Sequence, residues 1–79
     1  MKYTLAELRH KRGITQRVVA TDLQLAPSTI ALYELGLRTP SLRTARRIAQ
    51  YYGVLTDDII FGPRVYESQA DPLDATGTD

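Results

Sequence analysis

The sequence predicts an all-α fold of five short helices, and two kinds of observation lead to that prediction. Four of the five glycines follow segments in which apolar residues recur at helical spacing, and glycine is a common stop just past a helix end. Residues that favour helix starts precede these segments, whereas runs that alternate polar and apolar residues, as strands do, are absent. We therefore predict helices over residues 4–12, 15–23, 27–35, 41–52 and 56–61.

Local signals mark where the predicted helices begin. Thr4 followed by Glu7 has the spacing of a capping box, in which each residue bonds the backbone of the other. Thr15 and Ser41 are plausible N-caps of the second and fourth helices. Pro27 suits the first position of the third helix, where its missing N–H costs nothing. The predicted helix starts are therefore consistent with the helix ends that the glycines predict.

The apolar positions predict one core, since 79 residues suffice for a single domain and no cysteine is present to crosslink it. The predicted inward residues are Leu5, Leu8, Ile14, Val19, Ala20, Leu23, Leu25, Ile30, Tyr33, Leu42, Ala45, Ile48, Ala49, Tyr52, Val54 and Ile59, closed by Ile60 or Phe61.

Charge is divided unevenly along the chain. Residues 1–62 contain nine Lys and Arg against five Asp and Glu, whereas residues 63–79 contain one Arg against four acidic residues. A basic body suits a polyanionic partner, although an ordinary solvated surface accounts for a charge of this size as well. We predict a domain over 1–63 and an acidic, disordered tail over 64–79.

The segment from Thr15 to Gly36 carries the functional information. Two short helices are joined by a tight turn around Gln24, and small Ala20 allows the second and third helices to approach closely. One face of the third helix is left outward, and a helix of this size fits the major groove of B-DNA, about 12 Å wide.

The order and spacing of several motifs resemble the Cro-type (lambda-repressor-like, XRE) helix-turn-helix family over residues 4–62. The motifs are L-x-x-L-R at 5–9, G-I-T-Q at 13–16, S-T-I at 28–30, Y-E-L-G at 33–36, R-T-P-S-L at 38–42 and I-A-x-x-x-G-V at 48–54. The resemblance implies a lambda-repressor-like domain that binds duplex DNA through its third helix.

The resemblance also implies roles for individual residues. Gln16 matches a glutamine that grips a DNA phosphate, and Arg9 and Glu34 match a pair that forms an internal, structural salt bridge. Arg43 either reaches a phosphate or is simply solvated. The full set of predicted DNA-binding residues is Gln16, Arg17, Pro27, Ser28, Thr29, Ala31, Leu32, Arg38, Thr39 and Arg43.

The chain departs from the family pattern at several positions. Gln24 stands where the family usually has glycine, which predicts a left-handed conformation for a non-glycine residue. The third helix also lacks Arg, Gln and Asn for bidentate base contacts, and offers Ala31 and Leu32 for thymine methyl groups instead. Alternatively this face binds protein, because Val18, Leu35 and Leu37 are apolar at positions that are often polar in the family.

These observations predict a small repressor-type transcriptional regulator that binds double-stranded DNA as a homodimer. The alternatives are an antitoxin that represses its own operon, and a protein-interaction module that binds no DNA; an antirepressor or a toxin is the possible protein partner. The candidate residues of the dimer interface are Ile59, Ile60, Phe61, Val65 and Tyr66. The alternative role of these residues is to cap the core of the monomer.

Enzymatic, metal and membrane functions are not predicted. His10 is the only histidine and there is no cysteine to join it in a metal site, and no nucleophile–base arrangement is suggested. No cofactor is expected. No apolar run approaches the roughly 20 residues that span a bilayer, and no signal peptide opens the chain, so we expect a cytoplasmic location.

Overall fold

The computed structural model describes residues 1–64, in which four α-helices and a short pair of strands surround one core. The acidic segment from residue 65 lies outside the described residues. The elements in chain order are β1 (Tyr3–Thr4), α1 (Leu5–Lys11), α2 (Gln16–Leu23), α3 (Pro27–Leu35), α4 (Leu42–Tyr52), a 3-10 turn (Thr56–Asp58) and β2 (Ile59–Ile60).

The predicted helix starts are confirmed by hydrogen bonds at their caps. At α1 the Glu7 N–H donates to Thr4 Oγ1 at 3.1 Å, and the Thr4 N–H donates to Glu7 Oε1 at 3.0 Å, which completes the capping box. The hydroxyls of Thr15 and Ser41 accept backbone N–H bonds at the starts of α2 and α4, each at 3.2 Å. At α3, Pro27 is the first residue and no side chain caps the helix.

The fifth helix predicted over 56–61 is not confirmed. A single 3-10 turn occupies Thr56–Asp58, and Ile59–Ile60 then forms a strand parallel to Tyr3–Thr4, with Tyr3 opposite Ile59. The expectation of a fold without strands is therefore wrong for this pair. Two-residue strands are too short to show polar–apolar alternation, and their partners are far apart in sequence, so a local pattern does not reveal them.

The core lies where α1, α2, α3 and α4 converge. Its buried residues are Leu5, Leu8, Val19, Ala20, Leu23, Ile30, Tyr33, Ile48, Ala49, Tyr52 and Ile59. The prediction for Leu42 is wrong, because this side chain is 62% exposed. It is the first residue of α4, ahead of Ala45, where the buried stripe of that helix begins.

The two ends of the described chain are joined by side-chain contacts as well as by the strand pair. Arg64 Nε donates to Glu7 Oε2 at 2.8 Å, and its Nη2 donates to the Lys2 carbonyl at 2.9 Å. Arg64 was predicted as the first residue of the acidic tail, and the structure places it against α1. No helix within residues 1–64 is long and apolar enough to cross a membrane.

Candidate nucleic-acid interface

The turn between α2 and α3 fixes the orientation of the two helices. Gln24 adopts the left-handed conformation that its position predicts, with φ 59° and ψ 43°. The Leu25 N–H donates to the Ala20 carbonyl at 2.8 Å, which closes the end of α2 in a Schellman-type arrangement. Since Ala20 is buried and has only a methyl side chain, α2 and α3 pack closely around it.

The two faces of α3 have different surroundings. Ile30 and Tyr33 are buried and hold the helix against the core. On the opposite side lie Ser28, Ala31, Leu32 and Leu35, whose spacing of three, four and seven residues places them along one face. We call these four residues the outer face of α3. Ser28 is exposed, Ala31 and Leu32 are half-buried, and Leu35 is 59% exposed.

Three exposed arginines precede or follow this face in the sequence. Arg17 lies in the first turn of α2, Arg38 follows α3, and Arg43 lies in the first turn of α4. All three are exposed, and none makes a side-chain hydrogen bond or an ion pair within residues 1–64. Unpaired cations on a surface attract polyanions because their charge is not neutralised locally.

The part of the sequence that contains these arginines has few acidic residues. Between residues 12 and 55 the sequence has six arginines but only Asp22 and Glu34 as acidic residues. Asp22 accepts a hydrogen bond from the Tyr51 hydroxyl at 2.6 Å, and Glu34 is paired with Arg9. The local excess of positive charge is therefore larger than the net charge of +1 indicates.

A network around Glu34 ties α1, α2 and α3 together. Arg9 donates to both carboxylate oxygens, at 2.7 Å from Nε and 3.0 Å from Nη2, while Gln16 Nε2 donates to Oε1 at 3.0 Å. Burial of Glu34 raises its pKa, but the hydrogen bonds from Arg9 and Gln16 outweigh that effect, so the pKa lies below 4.5. The same pairing raises the pKa of Arg9. Both side chains of the ion pair are largely buried, at 13% and 7% exposed.

The contact of Gln16 with Glu34 is one that sequence reasoning missed. Gln16 is the first residue of α2, where the resemblance implies a phosphate contact. Its side-chain amide has two N–H donors, and the bond to Glu34 uses one of them. The bond fixes the position of the amide while the second donor remains for another acceptor, and eighteen residues of separation conceal the pair in the sequence.

Comparison with known protein families identifies this arrangement. A family model described as a helix-turn-helix domain matches residues 4–59, which include α1–α4. The chain belongs to the helix-turn-helix domain family. The resemblance inferred from the sequence motifs is thereby confirmed.

Relatives of this helix-turn-helix chain are named as regulators of transcription. An HTH-type transcriptional regulator from Deinococcus deserti is 32% identical over 82% of this chain and 50% of its own length. The cryptic phage CTXphi transcriptional repressor of Vibrio cholerae is 30% identical over 71% of this chain and 50% of its own length. An uncharacterized HTH-type transcriptional regulator from Methanocaldococcus jannaschii is 37% identical over 75% of this chain and 89% of its own length.

The match to the first two relatives covers about half of their length. No solved structure matches the chain.

The helix-turn-helix geometry separates the predicted DNA-binding residues into two groups. Those that are exposed are Arg17, Pro27, Ser28, Arg38, Thr39 and Arg43, and those that are half-buried are Gln16, Thr29, Ala31 and Leu32. Thr29 precedes Tyr33 by one helical turn, so it lies at the edge of the buried side and apart from the outer face of α3.

The residues predicted to form the dimer interface differ in how deeply they are buried. Ile59 is 8% exposed and belongs to the core, because β2 packs its side chain inward. Ile60 and Phe61 are half-buried, and Val65 and Tyr66 lie outside the described residues.

A different apolar surface was missed by sequence reasoning. Leu42 and Leu55, which is 70% exposed, line a surface groove together with Arg46, Thr56 and Asp57. We call this the Leu42–Leu55 surface. The helical spacing of Leu42 predicted a core position. The surface therefore becomes evident only from the exposure of Leu42 in the structure. Within residues 1–64 no group of three or more His, Cys, Asp and Glu side chains is placed to hold a metal ion.

Proposed function

We propose that this chain is a sequence-specific regulator of transcription that binds double-stranded DNA with α3 in the major groove. The observation that carries the proposal is the outward face of α3 together with the exposed Arg17, Arg38 and Arg43, which make no hydrogen bond or ion pair within residues 1–64. A groove about 12 Å wide admits an α-helix, and arginines beside it neutralise phosphates. The names of the relatives support a role in transcription, and one of them is a phage repressor.

The first experiment is selection of duplexes from a random DNA pool with the purified protein at moderate salt. We expect enrichment of a short motif, and an inverted repeat if two copies bind together. The salt dependence of binding to that duplex then measures phosphate contacts. Arg17→Ala and Arg38→Ala are each expected to reduce the slope of log K against log salt by up to about one.

Lys11→Ala is the matched control for these two variants. Lys11 is exposed and has no charged partner within residues 1–64, but it lines a groove formed with Tyr3 and Gly53, away from α2 and α3. Its removal should leave the salt slope nearly unchanged. Equal losses for all three variants, or no enriched duplex, contradict the proposed docking of α3.

We also propose that the protein acts as a homodimer, since one domain of this size buries only about 600–1,000 Å² on DNA and needs a second copy for high affinity. The Leu42–Leu55 surface supports this better than Ile59, which is already buried. Arg46 and Asp57 lie on the same surface, so a twofold arrangement that places them across the interface pairs the arginine of one copy with the aspartate of the other.

Sedimentation of the free protein tests the dimer proposal. Leu55→Glu is expected to shift the protein toward monomer, whereas Leu37→Glu, at an exposed leucine outside this surface, is not. A parent protein that stays monomeric on its own and on the selected duplex refutes the proposal.

A second candidate function rests on the exposed apolar side chains near α3. Val18, Leu35 and Leu37 are exposed, and apolar side chains grouped on a surface often mark a protein partner such as an antirepressor or a toxin. The duplex selection separates the two functions, because a protein-interaction module enriches no DNA motif. For either function we propose a binding role in the cytoplasm without catalysis.

A further inference from the structure

The outer face of α3 lacks the groups that usually read base edges by hydrogen bonding. Bidentate contacts to guanine or adenine come from Arg, Lys, Asn or Gln, and none of these occurs between Leu25 and Leu37. Glu34 is held by Arg9 and faces the domain interior. The outer face presents one hydroxyl, from Ser28, and three apolar side chains.

The apolar character of this face is unusual for an exposed helix. A helix that is apolar on both sides is normally buried on both sides. Here Ile30 and Tyr33 occupy the core while Leu35 on the opposite side remains 59% exposed. This exposure favours an apolar binding partner on the outer face.

The charges around the face indicate the nature of that partner. Arg17, Arg38 and Arg43, which have no partner within residues 1–64, favour a polyanion over an apolar protein surface. Duplex DNA is a polyanion that offers one apolar group in its major groove, the C5 methyl of thymine. DNA therefore matches both the charge and the apolar character.

We infer that the outer face of α3 recognises thymine through its C5 methyl group, with Leu32 as the principal contact. Ser28 and Ala31 have short side chains, so the helix backbone can approach the base edges closely enough for Leu32 to reach a methyl. Leu32 is half-buried against its own domain, which restricts its rotamers before binding, and Ser28 adds one hydrogen bond. This inference deepens the proposed function and rests on it.

A direct chemical consequence distinguishes this recognition from hydrogen-bond readout. Uracil presents the same donors and acceptors as thymine but lacks the methyl, so it should bind less well. 5-Methylcytosine carries a methyl at the same ring position although its exocyclic group differs, so it should bind better than cytosine. A hydrogen-bonding reader shows neither effect.

The test uses the duplex enriched by selection, in which single thymines are replaced by deoxyuridine. We expect affinity to fall about three- to tenfold at each contacted position, as for loss of a buried methyl group. At the same positions a C·G pair should bind weakly, and 5-methylcytosine in place of that cytosine should recover part of the loss.

Leu32→Ala identifies the side chain responsible. The variant is expected to bind thymine and uracil equally at its own position, while Leu37→Ala retains the thymine preference. The thymine-to-uracil ratio is measured within one protein, so a lower fraction of folded variant does not change it.

The outcomes separate this inference from the proposed function. Equal binding of thymine and uracil at every position of a duplex that the parent binds tightly overturns methyl recognition alone. A Leu32→Ala protein that keeps the parent's ratio at every position overturns the role of Leu32. Failure to enrich any duplex overturns the proposed function, and methyl recognition falls with it.

Discussion

Gly36 and Gly62 lie against each other through their backbones, where the end of α3 contacts the segment that follows β2. A Cβ atom built on Gly36 would lie 3.1 Å from Gly62 Cα, and one built on Gly62 would lie 3.2 Å from Gly36 Cα. Gly36 also adopts a left-handed φ of 75°. Two glycines are needed for so close an approach, and the approach holds the end of α3 against residues 61–63.

This contact predicts that Gly36→Ala destabilises the domain more than Gly53→Ala does. Both positions are left-handed, which costs a non-glycine residue about 1–2 kcal/mol, but a Cβ at Gly53 meets nothing within 4 Å. The additional loss of unfolding free energy in Gly36→Ala, compared with Gly53→Ala, measures the cost of displacing the Gly62 backbone. Denaturant unfolding of both variants gives the comparison, and equal free energies of unfolding contradict the close contact.

The Glu34 network predicts that Glu34→Ala destabilises the protein strongly. The change leaves the buried guanidinium of Arg9 without its carboxylate, and breaking a buried ion pair costs about 3–5 kcal/mol. It also removes the acceptor of Gln16. The melting temperature is the measurement, and Lys11→Ala, at an exposed side chain with no charged partner within residues 1–64, is the control. A variant that melts like the parent shows that the pair contributes little.

Two carboxylates predict a loss of stability in acid. The Arg64 hydrogen bond lowers the pKa of Glu7 to about 2, and the pKa of Glu34 is also below its usual value. Because both pKa values are lower in the folded protein, the stabilisation is complete above pH 4.5 and is lost as the pH falls, and the contribution of Glu7 is lost as the pH approaches about 2.

The free energy of unfolding as a function of pH measures this effect. Glu7→Gln is expected to flatten the curve between pH 4.5 and about 2, where the parent loses the contribution of Glu7. Lys11→Gln, at an exposed cation with no charged partner within residues 1–64, serves as the control, with little change in slope expected. An unaltered slope in Glu7→Gln would show that its contact with Arg64 has no energetic weight.

The left-handed turn residue predicts that Gln24→Gly is neutral or stabilising. Glycine adopts φ 59° without the cost of a Cβ, about 1–2 kcal/mol, although it also gains freedom in the unfolded chain. Gln50→Gly, at an exposed α4 position with ordinary helical conformation, should instead lose about 1 kcal/mol. Thermal melts compare the two, and a clear drop for Gln24→Gly opposes the prediction.

Local signals predicted the helices well because each signal acts over three or four residues. Thr4, Thr15 and Gly36 mark helix ends through bonds to their immediate neighbours, and the structure shows those bonds. The strand pair, by contrast, joins Tyr3 to Ile59, and no local pattern connects them.

In the candidate site, too, local features were predicted from the sequence and contacts between separate helices were not. The spacing of apolar residues separates the two sides of α3, and the resemblance pairs Arg9 with Glu34. The contact between Gln16 and Glu34 and the surface position of Leu42 depend on how separate helices pack. Those contacts form only in the folded domain, so the sequence gives no direct sign of them.

The parallel pairing of β1 with β2 also sets an order of events during translation. Tyr3 and Thr4 leave the ribosome before the helices do, and their strand partners follow more than fifty residues later. The sheet therefore closes only after the Ile59–Ile60 segment has been made and has returned to β1.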